Sequence, residues 1–539
     1  MTSHQWRRIA AYRRHAAAGV LAAAVLLGVA DVIARAFRPA ASPLVALGST
    51  VIEFAPPALQ ETAIAVLGPW NKPVLFLVMG LGGVVMAAGI GALGRRLPRV
   101  ASTIFLAVAA LLSAAVVRRP ETAAADLIPS ALAIVAGLAV LFGLWRLAGV
   151  GVAAGSGQGP ARRRAESDAQ WEGEAEPDPV RRSASRRAFL GAASGTAALA
   201  IACFALGRSI GAFGRQAGER LVELVLPRPA RGASPVPAAA SVDVAGVPPF
   251  ITPNDDFYRI DTALVVPELE PGEWTLRITG MVEEEVSIDM SELLGLPLEE
   301  HHVTLTCVSN PVGGDLLGTA TWLGYPVREL LARARPLPHA DMVLSRSVDG
   351  FTASTPLEVL TDERAALLAV GMNGEPLPRQ HGYPARLVVP GLYGYVSATK
   401  WVVELHLTRF DRDTAYWTDR GWDARGPVLV ASRIDVPGPL ATVPRDGVVV
   451  AGTAWAQHDG IAAVEVKLDD GDWQAAELAA EVSVDTWRQW RLSFDGVEPG
   501  RHAATVRAVT TSGEVQTGVR RDPIPNAATG HHRIEFRVA

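Results

Sequence analysis

Apolar and polar positions are distributed very unevenly along the chain. Four uncharged runs lie near its start: 73–93 (21 residues), 100–117 (18), 127–145 (19) and 188–207 (20). Each is close to the roughly 20 residues that a helix needs to cross ~30 Å of hydrocarbon. A fifth run, 16–34, is interrupted by Asp31 and predicts a spanning or interfacial helix. Gly80, Gly83, Ala87 and Gly91 recur at small-residue spacing, which predicts close helix packing. Beyond residue 245 the pattern changes. Segments 274–278 and 303–306 alternate as strands do, and 327–335, bracketed by Pro326 and Pro336, predicts a short helix. After Gly426 only short strands are expected, at 448–455, 463–468, 487–494 and 502–509, punctuated by Gly, Asp and Pro, with Asp469-Asp470-Gly471 as a turn. That spacing predicts a β-sandwich.

The organisation that follows is four spans in 1–150, a polar linker at 151–187, a fifth span at 188–213, a Pro/Ala-rich tether at 214–244, a mixed α+β domain at 245–427 and the sandwich at 428–539. Basic clusters set the orientation. Arg7, Arg8, Arg13 and Arg14 precede the first span, Arg95, Arg96 and Arg99 separate the second from the third, and seven arginines between 162 and 187 precede the fifth. Arg118 and Arg119 oppose this and are outnumbered. The expected result is a multi-pass protein of a bacterial cell membrane with everything past residue 210 outside the cytoplasm. Ser185-Arg186-Arg187-Ala188-Phe189-Leu190 matches the S/T-R-R-x-F-L pattern of twin-arginine export signals, a route that carries folded, cofactor-loaded domains.

Composition narrows the chemistry. Hydrophobic residues make up 49% and charged residues 19% of 539, and the net charge of −5 gives no case for nucleic acid. Only Cys203 and Cys307 are present, which excludes a disulfide scaffold or a multi-thiolate metal site. Spans two to five hold no histidine and His15 borders span one, so no haem is expected in this chain. The adjacent pairs His301-His302 and His531-His532 point to opposite faces of a strand and read as surface or core side chains.

Three stretches carry candidate chemistry. Cys307 ends a strand and enters a loop rich in Asn, Pro and Gly, where a thiolate can act as a nucleophile or as a soft-metal ligand. His381, Arg386 and Lys400 lie among Gly and Pro turns around one apolar strand, and Arg and Lys are natural phosphate partners. Residues 252–261 add Asn254, Tyr258, Arg259 and Asp261.

With these motifs in hand, the soluble half resembles the sulfite oxidase family of molybdopterin-dependent oxidoreductases. The carriers are the T-L-x-C strand end and the run Met372-Asn373-Gly374-x-Pro376-Leu377-Pro378-Arg379-x-His381-Gly382-x-Pro384-x-Arg386, followed by Lys400-Trp401. The resemblance covers about 245–430. The remainder resembles that family's immunoglobulin-like dimerisation domain. The resemblance implies Cys307 as the molybdenum ligand, and Asn254, Tyr258, Arg259, Cys307, His381, Arg386 and Lys400 as holders of the molybdenum–molybdopterin cofactor. It further implies Cys307, Arg259 and Trp422 as catalytic residues, an electron-transfer partner of unspecified identity, and a homodimer through the C-terminal domain.

Departures from the family bear on the substrate. No cation follows Cys307 in 308–314, and Asp261 and Asp315 are expected to repel an anion, which leaves Arg259 as the nearby cation unless Arg420 folds back. A small, less charged oxo-donor or acceptor containing sulfur or nitrogen is therefore expected in place of sulfite. The competing expectation is a cofactor-free membrane receptor or adhesion module that retains the fold.

Overall fold

The structure, a computed structural model, describes residues 3–37, 41–56, 59, 63, 67, 70–119, 124–148, 179–221, 224–445 and 447–539. The linker expected at 151–187 lies outside the described residues as far as 178. Two compact units result, 1–221 and 222–539.

The first unit is helical: α1 (Ser3–Phe37), α2 (Pro43–Phe54), α3 (Asn71–Leu93), α4 (Pro98–Val117), α5 (Ile128–Leu147) and α6 (Pro179–Leu221). Among the described residues, five segments are long and apolar enough to cross a membrane: Tyr12–Arg35, Asn71–Leu93, Pro98–Val117, Ala125–Leu147 and Arg187–Ser209. The segment that Asp31 made weakest in the sequence is central here, since α1 packs against α3, α5 and α6. Asp31 is buried and satisfied, accepting from Arg35 Nε (2.7 Å) and Ser42 Oγ (3.1 Å). His15 lies inside this segment and does not merely border it. The small-residue stripe of α3 does only part of the packing expected of it. A Cβ on Gly91 would collide with backbone of α1 at His15 and Gly19, whereas Gly80 and Gly83 face open space. The helix α2, with 12 residues, is too short to register as a span in the sequence.

In the second unit, two sheets build the mixed domain. In spatial order the first contains Val286–Asp289, Thr275–Gly280, Val402–Thr408, Met342–Ser347 and Thr352–Pro356, and its one parallel pair is Thr275–Gly280 with Val402–Thr408. The second contains Glu299–Thr306, Leu317–Pro326, Leu367–Met372 and Glu375–Pro376, with Arg386–Val388 pairing on Leu367–Met372. The helix between the prolines, Val327–Ala334, forms as expected and buries Val327, Leu330 and Leu331 against the first sheet's core. The stretch read as a tether is held at several points: Leu224 and Ala240 are buried, Ala230 N–H donates to Leu298 O, and Glu300 N–H donates to Arg231 O. Backbone groups of the Glu299–Thr306 strand edge give it something to bind.

Residues 431–538 are β-rich. A four-stranded and a five-stranded sheet share one core of Val448, Val450, Val464, Val466, Trp490 and Phe536, among others. The strand Val448–Trp455 falls where the alternation predicts it. This module also grips the strand that leads to Cys307. Period-2 alternation sends Val303 and Leu305 into the core of the mixed domain beside Trp322, which leaves Thr304 and Thr306 on the other face. There Trp487 N–H donates to Thr304 Oγ1 (2.8 Å), and Gln457 Nε2 donates to Thr304 O and Thr306 Oγ1 (3.0 Å each). Buried hydroxyls on that face are thereby satisfied, as burial requires.

Candidate active site

Cys307 opens the loop after this strand. Its N–H donates to Leu316 O (2.9 Å), Asn310 N–H donates to Cys307 O (3.1 Å), and Leu316 N–H closes the loop on Asn310 Oδ1 (3.0 Å). Cys307 Sγ lies 2.9 Å from Ser309 Oγ. Burial pushes the thiol up, with Ser309 partly opposing. Burial, and next the charge a Cys307 thiolate would carry, push the Tyr258 phenol up as well. Burial likewise lifts Tyr393 to about 12, with a smaller contribution from Cys307. Tyr393 lines the same cleft as Cys307, and neither tyrosine ionises near neutrality.

A second group of side chains is assembled by tight turns. His381 ends the turn Arg379–His381 and is followed by Gly382 at φ 111°. A Cβ there would stand 2.9 Å from Arg386 Cβ and 3.2 Å from Lys400 Cα, so glycine is what lets the three chain segments converge. Trp401 adopts φ 51°, a left-handed conformation costing roughly 1–2 kcal/mol for a bulky residue. Its buried indole, donating to Arg379 O (2.9 Å), holds it there. His381 Nε2–H donates to Asn254 O (3.2 Å), and Asn254 Oδ1 accepts from Asn373 Nδ2 (2.8 Å). Burial, then Arg386 and Lys400, lower His381 to about 4, so the ring is neutral and keeps Nδ1 as an acceptor.

Charge in this group is lopsided. Among the described residues, the buried Arg386 guanidinium donates only to backbone carbonyls, those of Leu387, His381 and Ala398, and it lies 5.1 Å over the Trp322 ring. Burial lowers it to about 10. Lys400 Nζ donates to Asp261 Oδ2 (2.8 Å) and Gln380 O (3.1 Å), and burial still lowers it to about 8. Arg259 Nε donates to the same Asp261 oxygen at 2.8 Å. Arg259 and Lys400 thus share one carboxylate while Arg386 pairs with none, and two positive charges are left over among the described residues. A buried dianion is what such a surplus suits, since uncompensated buried charge is costly. A phosphate end at Arg386 and Lys400, with a soft sulfur ligand at Cys307, fits the donor set that a metal–dithiolene pterin needs.

Several expectations change. Asp261 does not repel an anion from the thiol region, because it is buried as the counter-ion of Arg259 and Lys400. Arg259 belongs to that group, and is not among the residues around the cleft at Cys307. Arg420 stacks over the Tyr416 ring at 3.7 Å and donates to Tyr416 O (2.7 Å), and it too is not among the residues lining the cleft. Asp315 is exposed. Trp422 is buried with Val308, Tyr393 and Ala527, and its Nε1–H has no acceptor among the described residues. His302 bonds Thr321 and Ser234, and His532 Nδ1 accepts from Ile434 N–H. Among the described residues no three His, Cys, Asp or Glu side chains cluster as a metal site.

The cleft beside Cys307, small at about 30 Å³, is bounded by Thr306, Cys307 and Tyr393 on one side and by Ser432, Gln516 and Thr529 of the β-rich module on the other. None of its lining side chains is Asp, Glu, Lys or Arg. The sequence did not point to Tyr393, Ser432 or Gln516. Tyr393 stands in the Gly-rich run after Pro390 and could have been suspected, whereas the other two reach the site only through tertiary packing.

Residues 263–417 match the oxidoreductase molybdopterin-binding domain family. The chain is 31% identical over 290 residues to the mitochondrial sulfite oxidase of Rattus norvegicus, covering 45% of this chain and 53% of that one. It is 29% identical over 316 residues to the sulfite oxidase of Gallus gallus, covering 50% of this chain and 68% of the other. The match spans about half the length of the mammalian relatives. Among solved structures, the sulfane dehydrogenase SoxCD of Paracoccus pantotrophus aligns at 26% identity and a TM-score of 0.48, covering 53% of this chain and 81% of that one.

Proposed function

Through residues 263–417 this chain belongs to the sulfite oxidase family of molybdopterin-dependent oxidoreductases, and we propose that it is a membrane-anchored enzyme whose molybdenum centre, bound by Cys307, exchanges an oxygen atom with a small sulfur- or nitrogen-containing substrate outside the cytoplasm. When bound, the molybdenum–pterin group supplies the two-electron redox change. The chain's own residues hold and tune it. Arg386 and Lys400 neutralise the phosphate end, the neutral His381 offers an acceptor beside it, and Asn254 fixes the His381 tautomer. Cys307 supplies the thiolate, which metal binding keeps deprotonated against the upward pull of burial. Tyr393 lines the cleft beside the sulfur, and the buried Trp422 indole packs behind it with Val308.

The observation that carries the reading is the buried Arg386 guanidinium, which pairs with no carboxylate among the described residues, next to a Lys400–Asp261–Arg259 group that is itself one positive charge in excess. The uncharged cleft favours a neutral substrate such as a sulfoxide or N-oxide, because sulfite would be desolvated there without a cation. In this reading the β-rich module is immunoglobulin-like and dimerises, the apolar helices contact lipid, and a separate redox protein exchanges the electrons. Steady-state assays with an artificial redox dye on sulfite and on a panel of sulfoxides and N-oxides test it. Turnover of the neutral compounds with poor sulfite activity is expected. Efficient, salt-sensitive sulfite oxidation that disappears in Arg420→Ala would contradict it.

A further inference from the structure

The wall of the cleft opposite Cys307 is made by the loop 516–530 of the β-rich module, and both ends of that loop meet at one side chain. Gln516 is buried. Its Oε1 accepts from Ser432 Oγ (2.6 Å) and Ala508 N–H (3.0 Å), and its Nε2 donates to Gly530 O (2.9 Å). Its own carbonyl faces His531 Nε2 at 3.0 Å. Within the loop, Arg521 and Thr529 pair through their backbones and Thr529 Oγ1 donates to Val519 O (2.7 Å). Ends held together and an interior bonded to itself make a compact surface loop of the kind that moves or binds as a unit.

Its footing on the catalytic domain is slight. Ala527 packs with Val308, Tyr393 and Trp422, and Asp423 N–H donates to Pro525 O (3.2 Å). On the solvent side Val515, Val519 and Ile524 are exposed. Few buried apolar contacts and exposed backbone bonds put a segment at the low-stability end of a fold. The sandwich core does not include this loop, so displacing it leaves that core intact.

We propose that the loop 516–530 is the specificity wall of the site, latched by Gln516, and that it admits small uncharged polar ligands to Cys307 while excluding bulky and anionic ones. This rests on the reading of the Cys307 cleft as the place where substrate reaches the metal. The size limit comes from the latch. The charge limit comes from a lining of hydroxyl, amide and apolar groups, in which an unpaired anion loses its water with nothing in return.

The test reads access to Cys307 without needing turnover. The full chain carrying Cys203→Ala is purified from a host that makes no pterin cofactor, so that Cys307 is its only thiol. Alkylation at pH 9 is followed with iodoacetamide, iodoacetate and a bulky fluorescent maleimide, each normalised to a free thiol. Iodoacetamide is expected to exceed iodoacetate by about tenfold. Gln516→Met, of similar length without the hydrogen bonds, is expected to raise the maleimide rate by about tenfold and to leave iodoacetamide within about twofold. Ser432→Ala removes one bond and is expected to give roughly a threefold rise, and it carries the test if Gln516→Met does not fold. A maleimide rate unchanged in folded variants, or iodoacetate reacting as fast as iodoacetamide, would overturn the proposal. Either result can occur with the metal reading intact, since Cys307→Ser tests that separately.

Discussion

Asp261 gives a single carboxylate oxygen to two cations: Lys400 Nζ and Arg259 Nε each lie 2.8 Å from its Oδ2. Lys400 reaches it across 139 residues of sequence. This pairing lets a buried ammonium keep its charge at neutral pH although burial has brought it down to about 8.

Asp261→Asn is expected to destabilise the cofactor-free protein by about 3 kcal/mol at pH 7, since breaking a buried pair leaves a charge uncompensated. The sign of the pH dependence follows from linkage. Between about 8 and the ordinary lysine value of 10.5, the unfolded chain holds a proton that the folded chain has released. Lys400 therefore favours folding more as pH rises through that window. Above 8 it no longer needs the carboxylate, so the deficit of the variant should shrink. Urea denaturation from pH 6 to 9.5 checks this, and a deficit flat with pH would contradict it.

His381 and His532 are each lowered to about 4, mainly by burial. Both contribute stability that is full above about 6.5 and is lost as pH falls toward 4, where the folded state must accept a charge. His381→Gln should flatten part of the acid limb of the stability curve in cofactor-free protein. An acid limb identical to wild type would show that His381 is solvated.

Export is expected to depend on guanidinium groups. Arg186→Lys with Arg187→Lys should leave the catalytic domain protease-protected in spheroplasts while the earlier helices insert, because a positive flank alone would accept lysine. Exposure of the domain in the double variant would remove the export signal from the account.

Legibility in the sequence followed the range of the interactions. The uncharged runs gave the apolar helices because spanning length is a local property, and the helix Val327–Ala334 was legible because prolines fix its ends. The cationic group was legible because Gly and Pro turns bring His381, Arg386 and Lys400 together within 20 residues. Asp261 as a counter-ion was not, since nothing local tells a buried partner from a repelling charge. Nor was the grip of Trp487 on Thr304, 183 residues apart, or the wall that Gln516 closes. Asp31 misled in the opposite direction: it looked like an interruption and is an internally paired member of the central helix.

The central claim is that Cys307 binds molybdenum in a cofactor held by Arg386 and Lys400. Metal analysis of the full chain from a cofactor-competent host tests it most directly, together with the visible absorption of the metal–thiolate bond. About one molybdenum per chain is expected, with Cys307→Ser abolishing both that absorption and turnover, because replacing a ligand atom changes the metal's electronics directly. Wild-type protein free of molybdenum, or a Cys307→Ser variant with full activity, would contradict the account.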